Sequence, residues 1–190
     1  MLLLVRHGET LANRQGLLLG RADPSLTEVG EAQVRQVASM LPVPDRVISS
    51  PLRRARESAA AFGHPVQIDE RWVELDYGEL DERASTSVPD ELWARWRADP
   101  SSAPPGGESL STLSSRVAAA CAELSEEAAV STVVVVTHVS PIKAALAWAL
   151  NVPIGISWRM YVEDASVSRI DVGSDGPIVR WFNRGMARAD

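Results

Sequence analysis

Leu2-Leu3-Leu4-Val5-Arg6-His7-Gly8-Glu9-Thr10 begins with four apolar residues and then changes character within a single step. So short a continuous apolar run reads as a strand buried on both faces. Such a strand has no structural use for an arginine and a histidine at its tip. The pair implies that something bound at the strand end needs them.

Working outward, the same grammar of strand, short polar turn and helix start recurs twice. Arg46-Val47-Ile48 leads into Ser49-Ser50-Pro51-Leu52-Arg53-Arg54, and Thr132–Thr137, a β-branched run suited to a central parallel position, leads into His138. Thr27 reads as the N-cap of a helix over about 28–41, with Val29, Ala32, Val37 and Leu41 inward. Ser50-Pro51 reads as N-cap and first helical residue of a helix through Phe62, and Ser140-Pro141 as the cap of another over 141–150. Val66-Gln67-Ile68 suggests a further short strand. Helices are expected around 90–98 and over 109–128, and antiparallel or edge strands over 158–172 and 178–182. Strands alternating with helices predict an α/β fold, a three-layer α/β/α sandwich on a mostly parallel sheet. The irregular stretch 71–107 reads as an excursion covering a site, so residues 1–190 are expected to form a single domain.

Composition narrows the function. The 190 residues carry a net charge of −6, which argues against a nucleic-acid or anionic-membrane partner held by general electrostatics. Residues 1–63 nevertheless carry +2, as expected if a small anion binds near that half. Lys143 is the only lysine, which a GC-rich coding sequence explains. The lone Cys121 excludes an intrachain disulfide and falls at helical spacing with Leu110, Leu113, Val117 and Leu124, as a core filler would. No signal peptide and no run of transmembrane length is visible, so a cytoplasmic location is expected. The sequence is silent on oligomeric state.

In an open α/β sheet, ligands sit at the carboxyl ends of the strands. Arg6, His7, the Arg53-Arg54 pair and His138 all fall there. Arginines in the first turn of a helix oppose its dipole unless an anion sits between. Two arginines and two histidines at one rim fit a phosphate: guanidinium forks bind its oxygens, one imidazole can attack phosphorus, and the other can donate hydrogen bonds to the equatorial oxygens. A carboxyl must then protonate the leaving oxygen and activate water, and Glu74 in Val73-Glu74-Leu75-Asp76 is the candidate, with Asp76 the alternative. His64 has no partner pattern. A metal site at His7 and His138 is disfavoured, because neither sits in a ligand spacing and Arg6 would repel a cation. A dinucleotide site is excluded for want of a Gly-x-Gly-x-x-Gly turn after the first strand.

Arg6-His7-Gly8-Glu9-Thr10 with Asn13 resembles the signature of the histidine phosphatase superfamily, the phosphoglycerate-mutase-like proteins. The likeness continues through Leu26-Thr27-Glu28-Val29-Gly30, Ser49–Ala55, Glu74, Gly106-Gly107-Glu108-Ser109 and Val136-Thr137-His138. The resemblance implies a phosphorylated nucleophile at His7, a phosphoryl grip from Arg6, Arg54 and His138, an added phosphate contact from Asn13, a proton donor at Glu74, and no metal or other cofactor. It also implies a small phosphorylated substrate. The short length is similar to the phosphatase branch, which includes α-ribazole and broad-specificity phosphatases; phosphoglycerate mutase-type transfer is the alternative. A non-catalytic phosphate-binding protein is the rival from another class, and Glu74 argues against it, because a binder needs no proton donor. Two features depart from the family: Val139 stands where a glycine usually follows the second histidine, and Gly78-Glu79-Leu80 where Trp-Glu-Gly is common. Trp93 and Trp96, spaced i, i+3, either pack the core of a small cap or line a pocket for an apolar leaving group.

Overall fold

The computed structural model describes residues 1–185. Six strands form one sheet: β1 (Leu2–Arg6), β2 (Arg46–Ser49), β3 (Val66–Ile68), β4 (Val133–Thr137), β5 (Val167–Gly173) and β6 (Gly176–Arg184), in the order β3-β2-β4-β1-β5-β6. The first four run parallel and the last two antiparallel. Every residue of β1 and β4 is buried, as their unbroken apolar runs require.

Because side chains alternate along a strand, each central strand feeds both faces. Leu2, Leu4, Val133 and Val135 pack with α5 (Leu110–Val130) and α6 (Val139–Ala149). Leu3, Val5, Val134 and Val136 pack with α2 (Glu28–Met40) and α3 (Arg53–Ala60). This is the expected α/β/α sandwich. Register then sets the site: Arg6 is paired with Thr137 and Ser49 with Val136, so His7, Ser50 and His138 leave the sheet at one level.

Several expected boundaries shift for identifiable reasons. Thr27 caps α2 as expected, its hydroxyl accepting from Gly30 N at 3.0 Å, but the buried face is Gly30, Val34 and Val37, while Val29 is exposed. The helix is turned by a close crossing: a Cβ on Gly8 would sit 2.3 Å from the Gly30 carbonyl oxygen, and one on Gly30 would sit 2.2 Å from that of Glu9. α3 begins at Arg53 rather than Pro51, with Leu52 in the cap position; the Ser50 hydroxyl accepts from Leu52 N at 3.3 Å and also bonds to His138 Nε2 at 2.7 Å. α6 begins at Val139, with His138 in the cap position instead of Ser140. Val139 is ordinary right-handed helix, so the usual glycine's freedom is not needed there. The expected strand from 158 starts only at Val167; a 3-10 segment, Ile154–Arg159, precedes it and brings Trp158 to the cover.

The remaining helices are α1 (Leu11–Arg14), one turn after β1, and α4 (Asp90–Ala98) inside the covering excursion. That excursion has its own small core of Leu80, Val88 and Trp96, against which Trp93, Tyr77 and Trp158 pack. Its two ends meet at a neck. Glu108 N donates to Asp76 O at 2.9 Å and Glu79 N to Pro105 O at 3.0 Å. Gly78, at φ +52°, passes so near Pro105 that a Cβ would lie 2.1 Å from its carbonyl oxygen. Among the described residues, no helix is long and apolar enough to cross a membrane.

Candidate active site

His7 lies just past β1, its backbone N–H donating to Thr137 O at 3.0 Å, and its side chain is buried. Nδ1 is 2.7 Å from the Gly8 carbonyl oxygen. A carbonyl can only accept, so Nδ1 carries the proton. The other ring nitrogen, Nε2, accepts from Arg54 Nε at 3.3 Å and therefore holds a lone pair. Burial first, and then the charges of Arg54 and Arg6, push the His7 pKa well below its ordinary value, so the ring is neutral.

Arg54 is fully buried in the first turn of α3, where its charge opposes the helix dipole. Its guanidinium is held by Nη1 to Ala22 O at 2.7 Å and Nη2 to Gly20 O at 2.9 Å. That loop is in turn held by one side chain. The Asp81 carboxylate accepts from the N–H groups of Gly20, Arg21 and Ala22 at 2.7–2.8 Å. Burial pushes the Arg54 pKa down to about 10, against the pull of Glu74, Asp23 and Asp81, so it remains a cation at neutral pH.

Arg6 is fixed from the other side of the sheet. Nη1 donates to Val162 O at 2.7 Å and Nη2 pairs with Asp164 Oδ1 at 2.8 Å, while the buried Nε–H has no acceptor. The His138 ring lies 5.1 Å from that of His7, centroid to centroid, at 59°. Burial, with Arg54 the next cause, pushes the His138 pKa well below normal, and its buried Nδ1 has no partner. An unsatisfied buried polar atom is costly. Two of them, on Arg6 and His138, lie on side chains next to the neutral His7.

Glu74 is buried beside the start of α6. Its Oε1 accepts from Leu75 N at 2.7 Å and Ser140 N at 3.2 Å, while Oε2 has only a 3.4 Å contact with Ser140 N. Asp76 lies elsewhere, its Oδ1 accepting from Gly78 N at 2.8 Å at the neck and its Oδ2 3.8 Å from Arg21 Nε. Asn13 sits in α1, its side-chain oxygen accepting from Thr10 N at 3.0 Å in a capping box. That leaves its NH2 group as the free end. Thus Arg6, His7, Arg54 and His138 converge, Glu74 borders them through α6, and His64 is half-buried and apart, its Nδ1 3.2 Å from Pro65 O. Sequence reasoning missed Asp81, Asp164 and the bonding role of Ser50. Ser50 was visible as a strand-end serine read as a cap, whereas nothing local marks Asp81 or Asp164. Among the described residues, no group of three or more His, Cys, Asp or Glu is placed to hold a metal ion.

Residues 2–185 match the family model of the histidine phosphatase superfamily, branch 1. The chain belongs to that superfamily. Histidine phosphatases and mutase-like relatives surround it. It is 36% identical over 185 residues to the Bifunctional protein Rv2228c of Mycobacterium tuberculosis, covering 92% of this chain and 51% of that protein. The chain thus spans about half the length of the first curated relatives it matches. A Probable phosphoglycerate mutase GpmB of Salmonella choleraesuis is 35% identical over 179 residues, 88% of this chain and 83% of the relative. Among solved structures, a mycobacterial glucosyl-3-phosphoglycerate phosphatase superposes with a TM-score of 0.84 at 27% identity, covering 97% of this chain and 98% of that one. The fold is the one the sequence implied.

Proposed function

We propose that the chain is a metal-independent phosphomonoesterase that hydrolyses a small phosphorylated metabolite through a phosphohistidine on His7, within one domain covered by the 71–107 excursion. The observation that carries this reading is the tautomer of His7: the Gly8 carbonyl holds the Nδ1 proton, and the Nε2 lone pair points at a buried guanidinium. A nucleophile for phosphorus needs that lone pair, and a phosphoryl group needs that cation beside it.

The phosphoryl oxygens take the donors of Arg54 Nε, Arg6 Nε, His138 and the Asn13 amide. Transfer of the Arg54 N–H from His7 to a phosphoryl oxygen frees Nε2. Nε2 then attacks phosphorus in line, the P–N bond forms as the ester P–O bond breaks, and protonated Glu74 gives its proton to the leaving oxygen. In the second half, the Glu74 carboxylate takes a proton from water as that water attacks phosphorus. The P–N bond breaks, and phosphate and neutral His7 are released. The single long contact of Glu74 Oε2 supports Glu74 over Asp76 as the group that moves the proton, since Asp76 is turned to the neck. The relation to GpmB supports a second reading, mutase-type transfer, in which the phosphoryl group passes to a second hydroxyl instead of water.

The test is phosphate release in EDTA from p-nitrophenyl phosphate and a panel of sugar, nucleotide, ribazole and glycerate phosphates, with His7→Ala alongside and 2-phosphoglycerate formation followed. A rapid acid-avoiding quench with labelled substrate reads the phosphoenzyme. Release that vanishes in His7→Ala, with a base-stable, acid-labile phosphoenzyme in the wild type, is expected. Isomerisation without net release would make the mutase reading correct. Near-wild-type turnover in His7→Ala would end both.

A further inference from the structure

A cavity of about 210 Å³ opens under the cover, beside the proton-donor candidate. Its wall includes Trp93, Trp96, Trp158 and Tyr77, with ring centroids of neighbouring tryptophans 5.1 and 5.9 Å apart at near-perpendicular angles. Leu75 and Ser140, which supply the N–H groups that hold Glu74, line it too, so the cavity adjoins Glu74.

Two charged side chains line this aromatic wall. Glu108 is neutralised, both oxygens accepting from Arg116 at 2.8 Å. Lys143, the only lysine of the chain, is not. It extends from α6, one turn beyond Val139, and no carboxylate among the described residues forms an ion pair with it. Burial, its largest influence, lowers the Lys143 pKa, and Glu74 opposes this from a distance. A half-buried ammonium without a counter-charge is costly, since burial of a charge is repaid only by pairing. The buried indole N–H groups of Trp96 and Trp158 also have no acceptor among the described residues, so the wall as a whole is short of acceptors and of negative charge.

We propose that Lys143 selects the substrate: the alcohol half of the phosphomonoester carries a carboxylate that pairs with Lys143 while a flat or apolar portion lies against the tryptophans. This rests on the phosphomonoesterase reading above and deepens it. A carboxylate supplies the missing counter-charge, and the cavity's size limits the group to about one ring or a short carbon chain.

The experiment compares 3- and 4-carboxyphenyl phosphates with the equally sized carbamoylphenyl phosphates, in wild type, Lys143→Met, Lys143→Arg and Lys143→Glu. The readout is the ratio of kcat/KM for acid over amide. A charge-assisted pair in this setting is expected to give the wild type about a tenfold preference for the acid. That ratio falls to about one in Lys143→Met, reverses in Lys143→Glu, and returns in Lys143→Arg, which also shows that position 143 tolerates replacement. Binding of the same four esters to His7→Ala, followed by tryptophan fluorescence, gives the same ratios as dissociation constants without turnover. A wild-type ratio near one, or one that survives in Lys143→Met, overturns the proposal. Absence of His7-dependent hydrolysis with the binding preference intact overturns the phosphatase reading and leaves the selection by Lys143 standing.

Discussion

The rim of the sheet and the cavity beneath the cover are neighbours built by opposite means. At the rim, main-chain groups hold the side chains: His7 by the Gly8 carbonyl, Arg54 by those of Gly20 and Ala22, Arg6 by that of Val162, Glu74 by the N–H groups of Leu75 and Ser140. In the cavity, side chains from α4, α6 and the 3-10 segment after α6 meet one another across a space, and Lys143 has no ion-pair partner among the described residues. The first region fixes a geometry. The second chooses what is brought to it.

Substitutions should separate along that line, rim changes acting on kcat for every substrate and cavity changes on the ranking of substrates. The largest effect after loss of His7 is expected for Arg54→Ala, which removes the cation facing Nε2; loss of a comparable transition-state donor costs about 10²–10³ in kcat. Steady-state kinetics with two unrelated substrates checks it, and an effect confined to one of them would erase the distinction. Glu74→Gln should cost about 10²–10³ with an alkyl phosphate but under about tenfold with p-nitrophenyl phosphate, whose leaving group needs little protonation. Equal losses with both would remove Glu74 as proton donor. Trp96→Ala is expected to cost about 3 kcal/mol or more where the cover packs. It should raise KM for aryl substrates more than for small ones, as read by thermal melts and a substrate series.

The smallest effect concerns pH. His7 and His138 are both buried neutral, with folded pKa values well below 6.5. The unfolded chain therefore binds protons first as pH falls: stability holds above about pH 6.5 and declines below it. Urea melts at pH 7.5, 6.5 and 5.5 should show a small loss of stability between the first two and a larger one at the third. A histidine neutral well below pH 6.5 also places the acid limb of kcat/KM under that value, and a limb at or above pH 6.5 would contradict the neutral ring.

Much of this contrast can be read without coordinates. The rim is legible because parallel strands carry it: an apolar run locates β1 and a β-branched run β4, register aligns their ends, and whatever follows each run lands at one level. The partners that hold the rim are less so. Asp81 reaches the Gly20–Ala22 loop from 59 to 61 residues away, and Asp164 reaches Arg6 from beyond α6. No local pattern predicts such contacts. Helix starts moved for a related reason. Ser50 and His138 both stand beside helix starts, and their side chains bond to each other across the two strand ends, a contact no capping rule predicts. The tryptophans of 90–98 admitted two readings, and the structure gives both, since Trp96 is core to the cover and wall to the cavity.

The neck at Asp76, Gly78, Pro105 and Glu108 has an evolutionary consequence. It ties off the cover immediately after Glu74 and before α5, with backbone bonds that do not depend on what the intervening residues are. A lineage can therefore lengthen, shorten or replace most of that insert as a cassette and acquire a new diet, provided that Asp81 stays to hold the loop under Arg54.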